Sequence, residues 1–201
     1  MSDTRELYTF DETYGGCVAG VDEAGRGPLA GPVTVACCIP GKNIIDGVND
    51  SKKLSEKKRE ELYEKITASA ISWSVVSIDE NVIDEINILA ATKLGMEKCV
   101  KALDTSPNIV LIDAVKGLDL PYRCESIVKA DAKSYAVACA SIIAKVTRDR
   151  FMRKADELYP MYGFAKHKGY GTAEHIAAIQ KFGPCELHRR TFIRKFIDEQ
   201  T

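Results

Sequence analysis

Two acids stand side by side at residues 22 and 23, where a short β-type run, Cys17-Val18-Ala19-Gly20-Val21, comes to its end. Neighbouring residues on a strand point to opposite faces. On a half-buried strand, at least one of Asp22 and Glu23 must therefore face whatever the strand packs against. An inward carboxylate is costly unless something positive meets it, and a divalent cation is the usual partner. The plain alternative is a solvated acidic pair before a turn. Directly downstream, Gly25-Arg26-Gly27 sets open backbone and one guanidinium beside the acids. Asp113 closes a second apolar run, Asn108-Ile109-Val110-Leu111-Ile112, and Asp131 follows a third, within Lys129-Ala130-Asp131-Ala132-Lys133. Taken alone, Asp131 reads as a helix N-cap. Gathered together, such carboxylates repel, and one normally takes up a proton. Oxygen-rich clusters of this kind instead hold Mg²⁺ or Mn²⁺, which keep waters that a phosphate can displace.

The elements that must position these acids are legible from pattern. Cys17–Asp22 and Pro32–Ile39 read as an antiparallel pair of strands joined by the glycine-rich turn. Ser55 is a sound N-cap for a helix over 56–69. Ile71–Ile78 reads as a third strand, and Asp79–Leu103 as one helix with Ile83, Ile86, Leu89, Ala90, Leu94 and Val100 on its buried stripe. Asn108–Asp113 is continuously apolar, as a central strand covered on both faces is. Tyr122–Val128 is a fifth strand. Ser134–Tyr159 reads as one long helix with a buried first half, and Ala173–Phe182 as a further helix stopped by Gly183-Pro184. Residues 1–16 read as a lead-in, with Phe10 and Tyr14 tucked on the body. The sum is an α/β layer protein with a mixed sheet of about five strands. Residues 1–159 form the main body, and 160–201 a helical appendage packed on it as part of one structural unit. If the first and fourth strands are neighbours, Asp22 and Asp113 meet at one edge.

Composition sets bounds without choosing a partner. The chain has 201 residues, 45% hydrophobic and 28% charged, with a net charge of −1, as in an ordinary soluble globular domain. No stretch approaches the roughly 18 apolar residues that span a bilayer. The opening Met1-Ser2-Asp3-Thr4-Arg5-Glu6 has no apolar core of a secretory signal. Seven cysteines without a Cys-x-x-Cys pair read as buried thiols in a reducing cytoplasm. No zinc site is visible, and the three histidines have no ligand spacing.

Five blocks then resemble the signature of the ribonuclease HII family, the bacterial type 2 ribonucleases H. They are Val21–Val33, Asp50-Ser51-Lys52-Lys53-Leu54-Ser55, Ala140–Asp149, His167-Lys168-Gly169-Tyr170-Gly171-Thr172 and Leu187-His188-Arg189-Arg190-Thr191-Phe192. They run in order over nearly the whole chain. The resemblance implies a ribonuclease H-like fold. It also implies cleavage of the RNA strand of RNA·DNA hybrids, and nicking of duplex DNA 5′ of a single embedded ribonucleotide, with 5′-phosphate and 3′-hydroxyl products. By motif match the family's metal-binding acids fall on Asp22, Glu23, Asp113 and Asp131, holding two divalent ions, Mg²⁺ or Mn²⁺. Asp119 is a weaker rival for Asp113. The substrate-binding residues implied are Gly25, Arg26, Gly27, Ser51, Lys52, Lys53, Lys145, Arg148, Lys168 and Tyr170. Tyr170 matches the tyrosine that packs on the deoxyribose beside the ribonucleotide. The glycine-rich backbone would meet a 2′-hydroxyl that DNA lacks. The resemblance implies nucleic acid, an RNA·DNA hybrid or ribonucleotide-containing duplex, as the partner; with the cysteine usage and the absence of an apolar span, the expectation is a cytoplasmic monomer with no membrane role.

Between residues 129 and 154 seven Lys/Arg face two acids, a local excess of five that suits phosphate contacts, although solvated helix faces often look alike. Two rivals remain. Another nuclease of the same superfamily would share the acids without both Gly-Arg-Gly and Tyr170. A non-catalytic hybrid-binding module would need the basic residues but not four carboxylates. The closing Phe196–Thr201 shows no recognisable docking motif.

Overall fold

The computed structural model describes residues 4–197; residues 198–201 of the C-terminal tail and 1–3 of the N-terminus lie outside them. Five strands form one sheet: β1 (Val18–Ala24), β2 (Val33–Ile39), β3 (Ser72–Ile78), β4 (Ile109–Asp113) and β5 (Arg123–Ile127). Their spatial order is β3-β2-β1-β4-β5. β1 runs antiparallel to β2 and parallel to β4, which makes the sheet mixed. The helices among the described residues are α1 (Thr4–Glu12), α2 (Glu56–Ser69), α3 (Glu80–Ile86), α4 (Ile88–Lys101), α5 (Tyr135–Leu158), α6 (Phe164–His167), α7 (Ala173–Phe182) and α8 (Arg190–Ile197). No helix among the described residues is long and apolar enough to cross a membrane.

β1 is the hub because its residues alternate between two cores. Ala19 and Val21 pack with Met96 and Cys99 of α4, whereas Val18 packs with Ala136 and Val137 of α5. At Gly20 a Cβ would overlap the backbone of Ala136 and Val137. Glycine at this position lets α5 lie directly against the strand, one residue pair before Asp22. Small residues on the buried side of α5, Ala136, Ala138, Ala140 and Ala144, serve the same close approach. α5 starts cleanly because Ser134 accepts the amide of Val137 at 3.2 Å. Asp11 reaches from α1 to accept the amide of Ala136 at 2.7 Å. Phe10 and Tyr14 join the cluster around Val18 and Ile109, so much of the expected lead-in is a docked helix.

The single helix read over 79–103 is corrected to two. Asn87 adopts φ 68°, ψ 162°, and its Oδ1 accepts the amides of Leu89 (3.0 Å) and Ala90 (3.1 Å) to cap α4 afresh. The break rotates the buried stripe of α4 onto Ala91, Thr92, Gly95, Met96, Cys99 and Val100, and leaves Leu89 exposed.

Beyond residue 160 the chain folds back over the glycine-rich turn between β1 and β2. Leu29 donates to the Gly169 carbonyl at 2.8 Å, and Gly31 to that of Leu187 at 2.8 Å. Ala30 packs among Tyr162, Phe164 and Met152.

Candidate active site

The last paired rung of β1 and β4 is Val21 with Ile112, and one step further the same offset sets Asp22 beside Asp113. Strand alternation turns both carboxylates to the α5 side. Asp113 Oδ1 accepts the amide of Ala130 at 2.9 Å, which ties the end of β4 to the short 3-10 turn bearing Asp131. The end of the sheet thus gathers the acids expected from the sequence: Glu23 lines the same cleft as Asp22 and feels the charges of Asp113 and Lys52. Asp119 lies in the loop after β4, where its amide is held by Glu97 at 2.8 Å.

Asp22 is 5% exposed and Asp131 3%. Burial foremost, then the neighbouring charge of Glu23, pushes the Asp22 carboxyl well above the usual carboxylate range; the Glu23 amide at 2.8 Å and the Ser141 hydroxyl only partly oppose this. Burial also raises Glu23, against the nearby Arg26, and Asp131, where Asp50 adds to it and Lys52 opposes it. Arg26 Nη1 lies 3.5 Å from Glu23, and Lys52 Nζ lies 3.6 Å from Asp131. Among the described residues, no group of three or more acids, histidines or cysteines is drawn around a single ion point. The donor chemistry nevertheless fits a hard divalent cation. All four groups are carboxylates, their mutual repulsion is only partly offset by Arg26 and Lys52, and the buried Glu23 Oε2 has no hydrogen-bond partner. Positive charge delivered here would relieve all of these at once.

Beside the acids lies a cleft of about 210 Å³, lined among others by Asp22, Glu23, Gly25–Gly27, Ser51, Lys52 and Tyr170. Tyr170 is 46% exposed, and its ring edge lies 3.8 Å from where a Gly27 Cβ would be. Ser51 Oγ is 2.7 Å from Ser141 Oγ, so the loop 50–54 is fastened to α5 beside Asp22. Arg59 of α2 holds the same loop through the carbonyls of Ser51 (2.9 Å) and Leu54 (2.6 Å). Lys52 and Lys53 are exposed on this loop. Lys145 lines the cleft and pairs with the buried Asp149 at 2.7 Å. Lys168 adopts a left-handed backbone, and its ammonium turns back to the Ala165 carbonyl.

Two sequence expectations are refined. Arg148, grouped with the substrate contacts, lines the cleft but is 1% exposed and gives its donors to the carbonyls of Pro32, Ala30 and Lys168 at 2.9–3.1 Å. In this structure its fork braces the turn. The basic excess over 129–154 is met in part by α2: Arg150 pairs with Glu60 (2.6 Å) and Glu64 (2.8 Å), and Arg153 with Glu56 and Glu60.

Sequence reasoning placed Arg189 in the closing block Leu187–Phe192 without a role of its own; the side chain is fully buried under the Gly25–Gly31 turn. The same reasoning missed a linked chain of histidines. His175 Nδ1 faces the Tyr170 carbonyl at 2.9 Å, so it carries the hydrogen; His188 Nε2 then donates to His175 Nε2 at 3.1 Å, and His188 Nδ1 accepts the Cys185 amide at 3.0 Å. These imidazoles brace the Tyr170 loop and offer no nucleophile to the cleft. A larger cavity of about 310 Å³, at the opposite end of the strands near Tyr8, Asp11 and Tyr135, has no comparable set of acids.

Known proteins share both sequence and shape. The sequence model of the family described as Ribonuclease HII matches residues 19–195. Ribonuclease HII of Caldicellulosiruptor saccharolyticus is 52% identical over 181 residues, covering 90% of this chain and 88% of that protein. The solved ribonuclease H2 of Pyrococcus horikoshii OT3 superimposes with a TM-score of 0.78 at 29% identity, over 90% of this chain and 97% of that one. Bst-RNase HIII, solved in complex with Mn²⁺, shares the fold at a TM-score of 0.66 and 19% identity, over 98% of this chain and 66% of that one.

Proposed function

The chain belongs to the ribonuclease HII family and is a ribonuclease H endonuclease; on that premise we propose that it hydrolyses the RNA strand of RNA·DNA hybrids and nicks duplex DNA 5′ of a single embedded ribonucleotide, leaving 5′-phosphate and 3′-hydroxyl ends. The observation that carries this reading is the continuity of β1. The strand delivers Asp22 and Glu23 and passes within two residues into Gly25-Arg26-Gly27, against which Tyr170 rests. Acids able to hold a cation at a phosphate and a backbone able to meet a ribose are thus one short segment.

The residues that would hold two divalent ions, Mg²⁺ or Mn²⁺, are Asp22, Glu23, Asp113 and Asp131. When bound, such ions lower the pKa of an attacking water and offset the charge that develops on a departing 3′-oxygen. The chain's own residues do the rest. Ser141 and the Glu23 amide fix the Asp22 carboxylate. The Ala130 amide fixes Asp113, and Lys52 and Arg26 partly balance the charges of Asp131 and Glu23. Gly25, Arg26 and Gly27 present backbone to the ribose, and Tyr170 packs on the neighbouring sugar. Ser51, Lys52, Lys53, Lys145 and Lys168 grip the phosphate backbone on either side. The region from residue 160 onward works with the body as one unit, and the seven unbridged thiols suit a reducing cytoplasm, where the protein acts as a monomer. Cleavage of a labelled hybrid with added Mg²⁺, with added Mn²⁺ and with EDTA tests the metal requirement. Hybrid cutting that persists in EDTA would remove the metal reading.

A further inference from the structure

Arg148 and Arg189 are the two largest fully buried side chains among the described residues. Among those residues, neither guanidinium has a carboxylate within ion-pair distance. A buried charge without a counter-ion is costly and persists only when other dipoles satisfy it. Here backbone carbonyls do. Arg189 donates from Nε to Gly31 O at 2.9 Å, from Nη1 to Arg26 O at 2.9 Å, and from Nη2 to Gly25 O at 2.6 Å and again to Gly31 O at 2.7 Å. Arg148 takes the carbonyls of Ala30, Pro32 and Lys168. Burial foremost, with the charge of Arg148, lowers Arg189 to about 9, so it stays protonated at neutral pH.

The consequence follows from peptide geometry. In a trans peptide the N–H points away from the C=O, and every described peptide bond of the turn is trans. With the carbonyls of Gly25 and Arg26 drawn inward, the amides of Arg26 and Gly27 point the opposite way. Both residues line the cleft with Glu23 and Tyr170. Among the described residues no acceptor takes either amide, while neighbouring amides of the turn, Leu29 and Gly31, are taken. Gly25 itself has φ +97°, and a Cβ on it would overlap the Arg148 guanidinium, so the turn is built around the two side chains.

We propose that Arg189, backed by Arg148, is the positioning residue for ribose specificity: its fork fixes the amides of Arg26 and Gly27 as donors toward the 2′-hydroxyl oxygen of the cleaved nucleotide. The proposal rests on the ribonucleotide-nicking reading. Lysine cannot substitute, because one ammonium point charge cannot span the oxygens of Gly25, Arg26 and Gly31 as a planar five-donor fork does.

The test is affinity in Ca²⁺, without turnover, for a duplex carrying one ribonucleotide and for the same duplex all in DNA, together with nicking in Mg²⁺. Arg189→Lys should lower the ribonucleotide preference about tenfold and nicking kcat about a hundredfold, the scale of misplaced contacts, with all-DNA affinity nearly unchanged. Millimolar guanidinium should restore part of the nicking by Arg189→Ala without accelerating the wild type. An unchanged preference in Arg189→Lys overturns the proposal. So does an equal fall in both affinities without guanidinium rescue, which marks general loosening. If both Arg189 variants fail to fold, Arg148→Lys is measured the same way; a preference lowered about threefold supports the clamp, and an unchanged one overturns it. A wild type that neither prefers nor nicks the ribonucleotide duplex removes the function reading itself, and the proposal with it.

Discussion

Asp113 Oδ1 accepts the amide hydrogen of Ala130 at 2.9 Å, so one acid at the end of a central strand holds in place the turn that carries another, Asp131. The acids are therefore coupled through backbone as well as through charge. Asp113→Asn keeps an oxygen acceptor for that amide, whereas Asp113→Ala leaves it unpaired. Both should abolish cleavage, but only the alanine variant should lose stability, by about 1 kcal/mol in urea titrations. Equal stability of the two would show that the bond does not organise the turn.

Asp22→Asn should lose cleavage by about a thousandfold or more while hybrid binding survives, as read by gel shift. The metal-free variant should also melt higher than the wild type at pH 7, by about a few degrees. The sign follows from the raised folded-state pKa of Asp22. An acid shifted upward costs stability once the pH exceeds its unfolded value, and the amide removes that cost. A lower melting temperature would mean that the buried carboxylate is structural.

Tyr170→Ala should slow nicking at a single ribonucleotide about tenfold and alter duplex binding little, because the exposed ring positions a sugar instead of anchoring the complex. Tyr170→Phe should stay near wild type. An unchanged rate for the alanine variant would take Tyr170 out of the site.

The histidine chain gives a pH signature. Burial foremost lowers His175 and His188 to about 4 from an ordinary 6.5. Between those values the unfolded chain takes up protons that the folded chain refuses, so these residues cost stability as the pH falls through that window. Asp11, raised to about 6 by its burial, acts in the opposite direction. The useful quantity is thus the difference between wild type and His188→Gln. Wild type should be the more stable near pH 7, and its lead should shrink toward about pH 4.5 in urea titrations. A constant gap would show that the imidazoles titrate normally.

The strands and their acids were legible because apolar runs ending in carboxylates have few explanations, and because five ordered motifs fixed their family. The helix break at Asn87 was not, since a polar residue at an exposed helical position reads the same whether or not its side chain caps a new helix. Arg189 was hidden for a stronger reason. In sequence it is half of a basic pair, and its burial depends on carbonyls as far as 164 residues away, at Gly25. Arg148 was visible as a cleft residue, but helical spacing cannot show that its fork is already taken up by carbonyl oxygens. The histidines lacked ligand spacing in the sequence, and their hydrogen-bond chain forms only when α7 meets the segment before α8.

The most direct test of the whole reading is a strand-specific nicking assay on a DNA duplex carrying one ribonucleotide, beside an identical all-DNA duplex, with Mg²⁺ or Mn²⁺ present or withheld. The expected result is a single metal-dependent nick 5′ of the ribonucleotide, leaving a 3′-hydroxyl and a 5′-phosphate, with the all-DNA duplex intact. Equal cutting of both duplexes, or no metal-dependent cut in either, would contradict it.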